Sequence, residues 1–297
     1  MALLEVRNLC KSFPTFNVKN VSFSIEPGYI VGFIGRNGAG KTTTIKSILN
    51  LTKADSGSVS IFGMDLYEHE IEIKQRIGVV LGGFDYYLDK KLRSIAQVVS
   101  RFYDNWDGSK YLEYLKKFNL DENKRVKELS EGMKVKLALA LALSHHAELL
   151  ILDEPTTGLD PQTRSTLWQV IGDLRKNEGM TVFLTTHYME EAADADYVVI
   201  LDSGMIAAEG TPLELKNTYT GDFITVYGAE ESQIKQLGAP YETIRDAYRV
   251  SVPNTAAATE LILKYPDIFR DYEITKGKMD DVFLAVTGKK LIGGVGR

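Results

Sequence analysis

Residues 35–42 bring together the glycines, the lysine and the threonine of a G-x-x-x-x-G-K-T stretch. The glycines allow a tight turn in which several backbone N–H groups point at one phosphate group. Lys41 adds a full positive charge that can reach the outer phosphates of a nucleotide, and the Thr42 hydroxyl is placed to hold Mg2+. The stretch therefore predicts a loop that binds the phosphates of a nucleotide.

The residues on either side of this loop match the elements that must position it. A short apolar run, residues 29–34, indicates a buried parallel strand, and apolar residues at helical spacing follow Thr42. Strand, glycine loop and helix in this order is the context that the motif requires, and the helix start adds its own partial positive charge. The predicted nucleotide-binding residues of this segment are Gly35, Arg36, Asn37, Gly38, Ala39, Gly40, Lys41, Thr42 and Thr43.

A second group of candidate residues follows two later apolar runs. The first run ends in Asp153 and Glu154, and carboxylates at the end of a central parallel strand lie at the ligand-binding edge of the sheet. Asp153 is then placed to bind Mg2+ through water, and Glu154 is placed to polarise an attacking water. The next run, residues 181–185, leads to His187, which can form a hydrogen bond with a terminal phosphate.

Two further signals are weaker when each is taken alone. Residues 129–133 lead into a helix, and Ser130 suits its N-cap while Gly132 allows close approach to a phosphate. On local grounds a plain helix cap is the better interpretation. Phe13 follows the first of two alternating strands that precede the glycine loop. Its ring can stack on an adenine or belong to the core, and the sequence leaves both interpretations open.

Composition limits the kinds of partner that the chain can have. The 297 residues carry a formal net charge of -5, which gives no support for a nucleic-acid partner, since such partners usually require a basic surface. Cys10 is the single cysteine, which excludes an internal disulfide and fits a reducing compartment. No apolar run approaches the ~20 residues of a membrane span. We therefore expect any membrane role to come through a partner.

The pattern along the chain predicts two domains. Residues 1–217 read as an α/β ATPase domain, in which the strands before the glycine loop form a small antiparallel sheet. Residues of about 84–145 contain apolar positions at helical spacing without a strand signal, which predicts a helical subdomain. Strand and short helix patterns after residue 217 predict a small α+β accessory domain over residues 218–297.

Taken together, these motifs resemble the nucleotide-binding subunit of an ABC transporter, and the resemblance covers about residues 3–217. In that family the matching segments are the Walker A motif, the signature motif, the Walker B motif with its catalytic glutamate, the D-loop and the switch histidine. Here they are residues 35–42, residues 129–133, residues 149–154, residues 158–160 with Asp160, and His187. The family usually has Leu-Ser-Gly-Gly-Gln as its signature, whereas this chain has Leu-Ser-Glu-Gly-Met.

The resemblance implies a P-loop NTPase (RecA-like) core that binds ATP and Mg2+, with Thr42 and Asp153 as metal ligands and Glu154 and His187 as catalytic residues. It implies that Ser130, Glu131 and Gly132 complete the ATP site of an opposite subunit, and it places an aromatic residue near Phe13 against the adenine. The implied partners are a second ATPase subunit and separate permease subunits at the cytoplasmic face of the cell membrane. Residues 279–288 resemble the ending of ABC-2-type exporter ATPases.

One position departs from the family pattern. Gly83 stands where the family has a glutamine that contacts Mg2+ and the membrane partner. The loop also carries Phe84, Tyr86 and Tyr87, so we expect coupling to the permease to depend on aromatic packing more than on a metal-linked side chain.

Two alternative functions remain at this point. The first is a soluble ABC-type ATPase that acts on ribosomes or DNA, although such translation factors carry two cassettes in one chain. DNA-repair relatives also need a long coiled coil between the phosphate loop and the signature, for which this chain has no room. The second is a regulatory domain that binds ATP without turnover, which the presence of Glu154 disfavours.

Overall fold

The computed structural model describes residues 2–82 and 87–288, so the expectations for Gly83, Phe84 and Tyr86 lie outside the described residues. The chain divides into two compact units, Met1–Glu209 and Gly210–Arg297. The strands of the first unit are β1 (Leu4–Phe13), β2 (Phe16–Ile25), β3 (Ile30–Ile34), β4 (Ser56–Ile61), β5 (Met64–Asp65), β6 (Ile77–Val80), β7 (Leu149–Asp153), β8 (Thr181–Thr186), β9 (Tyr197–Asp202) and β10 (Met205–Gly210). Its helices are α1 (Lys41–Ile48), α2 (Glu70–Gln75), α3 (Leu92–Val99), α4 (Gly108–Lys117), α5 (Glu131–Leu143), α6 (Pro161–Glu178) and α7 (Met189–Ala192).

The first unit is built on a six-stranded sheet in the order β10-β9-β3-β8-β7-β6. Its pairs β3–β8, β3–β9, β7–β8 and β6–β7 are parallel. Strands β3, β7 and β8 are buried along their whole length, as their continuous apolar sequences predict for a sheet that is covered on both faces. Because the strands are parallel, the carboxyl ends of β3, β7 and β8 meet at one edge of the sheet, where the candidate residues follow.

A second sheet of the first unit has the order β2-β1-β4-β5, with antiparallel pairs, as the sequence predicts. Its inner face packs on the parallel sheet in one continuous core. The rings of Phe23, Phe33 and Phe183 lie 5.4–5.5 Å apart, centroid to centroid, at the junction of the two sheets. This packing holds the β1–β2 hairpin in place relative to the strand that leads into the glycine loop.

The predicted helical subdomain contains α3, α4 and α5. Helix α2 ends at Gln75, and β6 begins two residues later at Ile77. The turn-to-turn pair of Lys74 with Glu70 supports the helix. The Gln75 amide donates to the backbone oxygen of Phe102 (2.8 Å) and so connects this helix to the short 3-10 helix, Ser100–Phe102, that follows α3.

The second unit has the element order β-α-β-β-α-β between two flanking helices. Its elements are α8 (Pro212–Tyr219), β11 (Asp222–Tyr227), α9 (Glu231–Gln236), β12 (Tyr241–Ile244), β13 (Ala247–Val252), α10 (Thr255–Lys264), β14 (Tyr272–Lys276) and α11 (Met279–Thr287). The antiparallel sheet has the order β12-β13-β11-β14, which is the ferredoxin-like arrangement. Strand β12 was missed by the sequence analysis, because its four residues are largely exposed and gain their strand character from pairing with β13.

Candidate active site

The glycine loop connects β3 to α1, and two of its glycines have backbone conformations that side chains disfavour. Gly38 and Gly40 have φ values of +80° and +109°, in the left-handed region. Gly35 is required for a different reason, because a Cβ there would lie 2.5 Å from the backbone oxygen of Leu201 in β9. The loop is therefore shaped partly by its own sequence and partly by the neighbouring strand.

Replacing Gly35 with alanine should destabilise the chain by about 1–3 kcal/mol, because a backbone oxygen cannot move aside as a side chain can. The matched control is Gly172→Ala in α6, where a Cβ meets nothing within 4 Å and φ is not positive. That change should stabilise the chain by about 0.5–1 kcal/mol, the usual gain of alanine over glycine within a helix. Urea unfolding of both variants measures the difference, and equal midpoints would contradict the contact.

Lys41 is the first residue of α1, and its ammonium group turns back over the loop. Its Nζ donates to the backbone oxygens of Gly35 (2.7 Å) and Arg36 (3.2 Å), and it lies 3.1 Å from Oε1 of Glu154. The side chain is only 4% exposed. The lysine of the phosphate loop and the predicted catalytic carboxylate thus form a direct ion pair.

The carboxyl ends of β7 and β8 are joined by a threonine that the sequence analysis missed. Thr185 lies opposite Asp153 in the parallel register, and its hydroxyl donates to Oδ1 of Asp153 (2.7 Å). The same hydroxyl accepts a hydrogen bond from the backbone N–H of Glu154 (2.8 Å). A threonine near the end of a buried apolar strand was the available signal. Thr185 therefore fixes both acids relative to β8.

Glu154 lies where the backbone and several charges meet. Its φ of +48° is uncommon for a residue with a side chain, and such conformations cluster at functional sites. Its Oε2 accepts a hydrogen bond from the Thr157 hydroxyl (3.2 Å) and lies 3.6 Å from Nδ1 of His187. Burial raises the pKa of the Glu154 carboxyl, but the Lys41 ammonium, His187 and the Thr157 hydroxyl together outweigh burial and lower that pKa. Glu154 is therefore a carboxylate at neutral pH.

His187 follows Thr186 at the end of β8 and is only partly exposed. Burial lowers the pKa of its imidazole, and this outweighs the opposing attraction of Glu154. The ring is therefore neutral at physiological pH. It packs against the ring of Tyr188, with centroids 4.1 Å apart. A neutral imidazole beside Glu154 can donate a hydrogen bond without cancelling the charge of that carboxylate.

A cavity of about 730 Å3 opens above the glycine loop, and this volume lies in the range of small-molecule sites. Its lining brings the phosphate loop together with both acids: Thr15, Phe16, Asn37, Gly38, Gly40, Lys41, Thr42, Thr43, Gly82, Asp153 and Glu154. Gly35, Arg36 and Ala39 support the loop from outside this lining. The aromatic residue in the lining is Phe16, whereas Phe13 lies opposite Phe16 in the hairpin register and is 42% exposed.

The signature residues and Asp160 lie at two helix starts outside the cavity lining. Ser130 is the N-cap of α5, where its hydroxyl accepts from the backbone N–H of Met133 (3.3 Å), and Ser130 and Glu131 are exposed. Asp160 is the N-cap of α6. Within the described residues, no cluster of three or more His, Cys, Asp or Glu side chains is arranged to hold a metal ion.

Comparisons with known proteins agree with this arrangement. A family model described as ABC transporter matches residues 18–157. The "Nod factor export ATP-binding protein I" of Burkholderia lata is 34% identical, and the match covers 98% of this chain and 99% of that protein. The protein of that name from Rhizobium etli is 33% identical over 92% of this chain and 89% of its own length.

Solved structures show the same architecture. A structure titled as the ATP-binding subunit of an ABC transporter superimposes with a TM-score of 0.66 at 29% identity, covering 73% of this chain and 93% of that one. A dimeric ATP-binding cassette in a post-hydrolysis state, bound to ADP and phosphate, gives a TM-score of 0.62 at 25% identity, with coverages of 70% and 98%.

The chain therefore belongs to the ABC transporter family, as an ATPase with a P-loop NTPase fold. Within that family it is the ATP-binding and ATP-hydrolysing subunit of an exporter. These findings confirm the predicted fold class and ATPase activity, and they favour transport over the alternative of acting on ribosomes or DNA. The roles of the individual site residues stay predictions.

None of the helices in residues 2–82 and 87–288 combines the length and apolar character needed to cross a membrane.

Proposed function

We propose that this chain hydrolyses Mg2+-bound ATP in the cavity above the glycine loop, as one of a pair of subunits that drive a separate membrane permease at the cytoplasmic face of the cell membrane. The observation that carries the proposal is the ion pair of Lys41 with Glu154, 3.1 Å apart, across the phosphate loop. It joins the residue predicted to bind the outer phosphates to the residue predicted to activate water.

The oxygen atoms at this site fit Mg2+. Thr42 is exposed at the start of α1, and Asp153 lies in the same cavity lining with its Oδ1 oriented by Thr185. Mg2+ prefers oxygen ligands and usually takes few from the protein, because phosphate oxygens and water supply the others. Thr42 and Asp153 would hold the ion, which would neutralise charge on the phosphates when bound.

The same ion pair suggests how binding prepares Glu154 for catalysis. Phosphate oxygens compete with Glu154 for the Lys41 ammonium, because they carry more negative charge and lie over the loop N–H groups. When Lys41 turns to the phosphates, the carboxylate loses the contact that lowers its pKa, so its proton affinity rises. Glu154 then becomes a better general base for the attacking water. His187 lies beside this carboxylate, and its proposed role is to contact the terminal phosphate.

The adenine has an aromatic surface available at the β1–β2 hairpin. The Phe13 ring is accessible, and Phe16 is held against the loop, since a Cβ on Gly40 would lie 2.9 Å from its Cζ. We assign the stacking role to Phe13, because Phe16 is engaged in packing against the glycine loop. Base stacking on an aromatic side chain contributes about 1–3 kcal/mol.

The exposed signature residues are proposed to face a second subunit. Ser130, Glu131 and Gly132 lie at the N-terminus of α5, where backbone N–H groups favour an anion such as a phosphate. They lie outside the lining of their own cavity, and the related cassette bound to ADP and phosphate is dimeric. Two chains that each supply these residues to the other's ATP would close when ATP binds and open after hydrolysis.

A groove on the first unit is the proposed docking surface for the membrane subunit. It has a volume of about 750 Å3 and is lined by Tyr67, Glu68, His69, Glu70, Ile71, Glu72, Gln75, Arg76, Asp104 and Asn105. Ile71 is 81% exposed there, and Phe102, whose backbone Gln75 holds, is 70% exposed. The groove thus combines four carboxylates with exposed apolar side chains. Such a surface is complementary to a cytoplasmic helix of the membrane subunit that carries both apolar and basic residues.

The proposal is tested by purifying the tagged chain from its own cells with detergent-solubilised membranes. We expect a multi-span membrane protein to co-purify and to stimulate ATP turnover. Ile71→Asn should weaken this stimulation more than it changes turnover of the isolated chain. Leu263→Asn, at a similarly exposed position of the second unit (74% against 81%), should leave the stimulation unchanged. Recovery of ribosomes or DNA without a membrane protein would contradict the transport role.

A further inference from the structure

Gly132 of the signature packs against the helix that follows the Asp160 loop of its own chain. A Cβ on Gly132 would lie 2.5 Å from Cγ2 of Thr163, and 3.8 Å from both Cβ and Oγ1 of that threonine. Real Cβ atoms do not approach other atoms as closely as 2.5 Å, whereas 3.8 Å is an ordinary contact. The methyl group of Thr163 therefore accounts for the whole conflict. Thr163 belongs to α6, a different helix from α5, which contains Gly132.

Thr163 cannot rotate away without breaking the cap of α6. Its backbone N–H donates to Oδ1 of Asp160 (3.0 Å), and its hydroxyl donates to Oδ2 of the same carboxylate (2.5 Å). A threonine side chain also has few favourable χ1 rotamers in a helix. Moving the methyl group by rotation would remove the hydroxyl from Asp160. A displacement of the Thr163 side chain by a larger residue at position 132 would therefore also displace the Asp160 carboxylate.

We propose that the contact of Gly132 with Thr163 couples the signature turn to the Asp160 loop within one chain, with Thr163 as the positioning residue. Ser130 caps one of the two helices and Asp160 caps the other, and the contact makes the two helix starts move together. A nucleotide of the partner subunit that engages Ser130 then also sets the position of Asp160. This inference rests on the proposed ATP-bound pair of subunits.

This role differs from the one that the sequence suggested for Gly132. If glycine were needed only to let a phosphate approach, the effect of adding a Cβ would not depend on Thr163. If glycine is needed for the contact, removing the Thr163 methyl group should restore what the added Cβ disrupts. Serine at position 163 keeps the hydroxyl that Asp160 accepts, while valine keeps the methyl group and loses that hydroxyl.

The test compares Gly132→Ala, Gly132→Ala with Thr163→Ser, and Gly132→Ala with Thr163→Val, beside the wild type and each single change at position 163. We expect Gly132→Ala to lower kcat by about tenfold to a hundredfold, since a misplacement of about 1 Å at a site costs that much. KM for ATP should change by less, because the proposed phosphate contacts come mainly from the glycine loop that lines the cavity. The Thr163→Ser double variant should recover at least about tenfold of the lost rate, and the Thr163→Val double variant should recover none.

Thermal unfolding of the same set gives a readout that does not depend on turnover. Gly132→Ala should lower the melting temperature by about 2–10 °C, and Thr163→Ser should reverse most of that loss. The inference is overturned if the double variant with Thr163→Ser recovers neither kcat nor the melting temperature. Full activity of Gly132→Ala also overturns it. A wild type without ATP turnover would instead show that the proposed function is wrong, while the melting temperatures would still decide whether the contact exists.

Discussion

Replacing Glu154 with glutamine should reduce ATP turnover by about 10²–10⁴-fold, the usual contribution of a general base, while ATP binding should be retained. The amide keeps the shape of the side chain but cannot accept the proton of the attacking water. Binding should become tighter, because the amide no longer holds Lys41 in an ion pair that the phosphates must displace. With hydrolysis blocked, ATP should keep two chains together through the exposed signature residues.

Phosphate release measures turnover, a fluorescent-ATP titration measures affinity, and sizing chromatography with ATP and Mg2+ measures association. The matched control is Glu148→Gln at the other end of the same strand, where the carboxylate pairs with Arg76 at the surface. That variant should hydrolyse ATP at nearly the wild-type rate. Wild-type turnover in Glu154→Gln would show that another residue activates the water. A monomer with ATP bound would argue against a site shared by two chains.

Replacing Lys41 with alanine should nearly abolish nucleotide binding. Hydrogen bonds to charged groups contribute about 1.5–3 kcal/mol each, so the loss of the lysine contacts to the outer phosphates should weaken ATP binding by at least about tenfold for each contact. The change also leaves Glu154 without its cationic partner in a largely covered position, so a carboxylate would then repel the phosphates. We therefore expect Lys41→Ala to lower the affinity for ATP by more than the lost contacts between lysine and phosphate would by themselves.

The second variant of this series separates the two causes. Lys41→Ala combined with Glu154→Gln should regain part of the lost affinity, because the repelling carboxylate is gone. Lys46→Ala serves as the matched control, since Lys46 is an exposed residue of the same helix, and its affinity for fluorescent ATP should equal that of the wild type. Unchanged affinity in Lys41→Ala would show that the glycine loop does not bind the phosphates as assigned.

The predicted N-cap at Ser130 depends on local sequence and agrees with the structure, and other contacts of the same short range are found beside it. The glycine loop closes on itself through contacts among neighbouring residues, such as the Lys41 ammonium on the oxygens of Gly35 and Arg36. Ser130 and Asp160 each cap a helix through a backbone N–H three residues ahead. Interactions this short in sequence have one geometry wherever they occur, so residue types and spacing are enough to predict them.

Other features follow from pairs of residues that are distant in sequence. The position of Thr185 beside Asp153 follows from the parallel register of β7 and β8, and the ion pair of Lys41 with Glu154 follows from the meeting of two strand ends. The same holds for β12, which becomes a strand by pairing with β13. A single sequence carries no direct record of register, because register is chosen by the burial of whole sheet faces.

By itself the sequence determined the class of chemistry, because a phosphate loop and two acids after a buried strand have few other uses. Only the tertiary structure decided why certain residue types are required. Gly35 is glycine because of a backbone oxygen on β9, and Gly132 is glycine next to a methyl group on α6. The physical reason is close packing: which atom occupies the space beside a Cα depends on how separate elements come together, and that arrangement is a property of the whole fold.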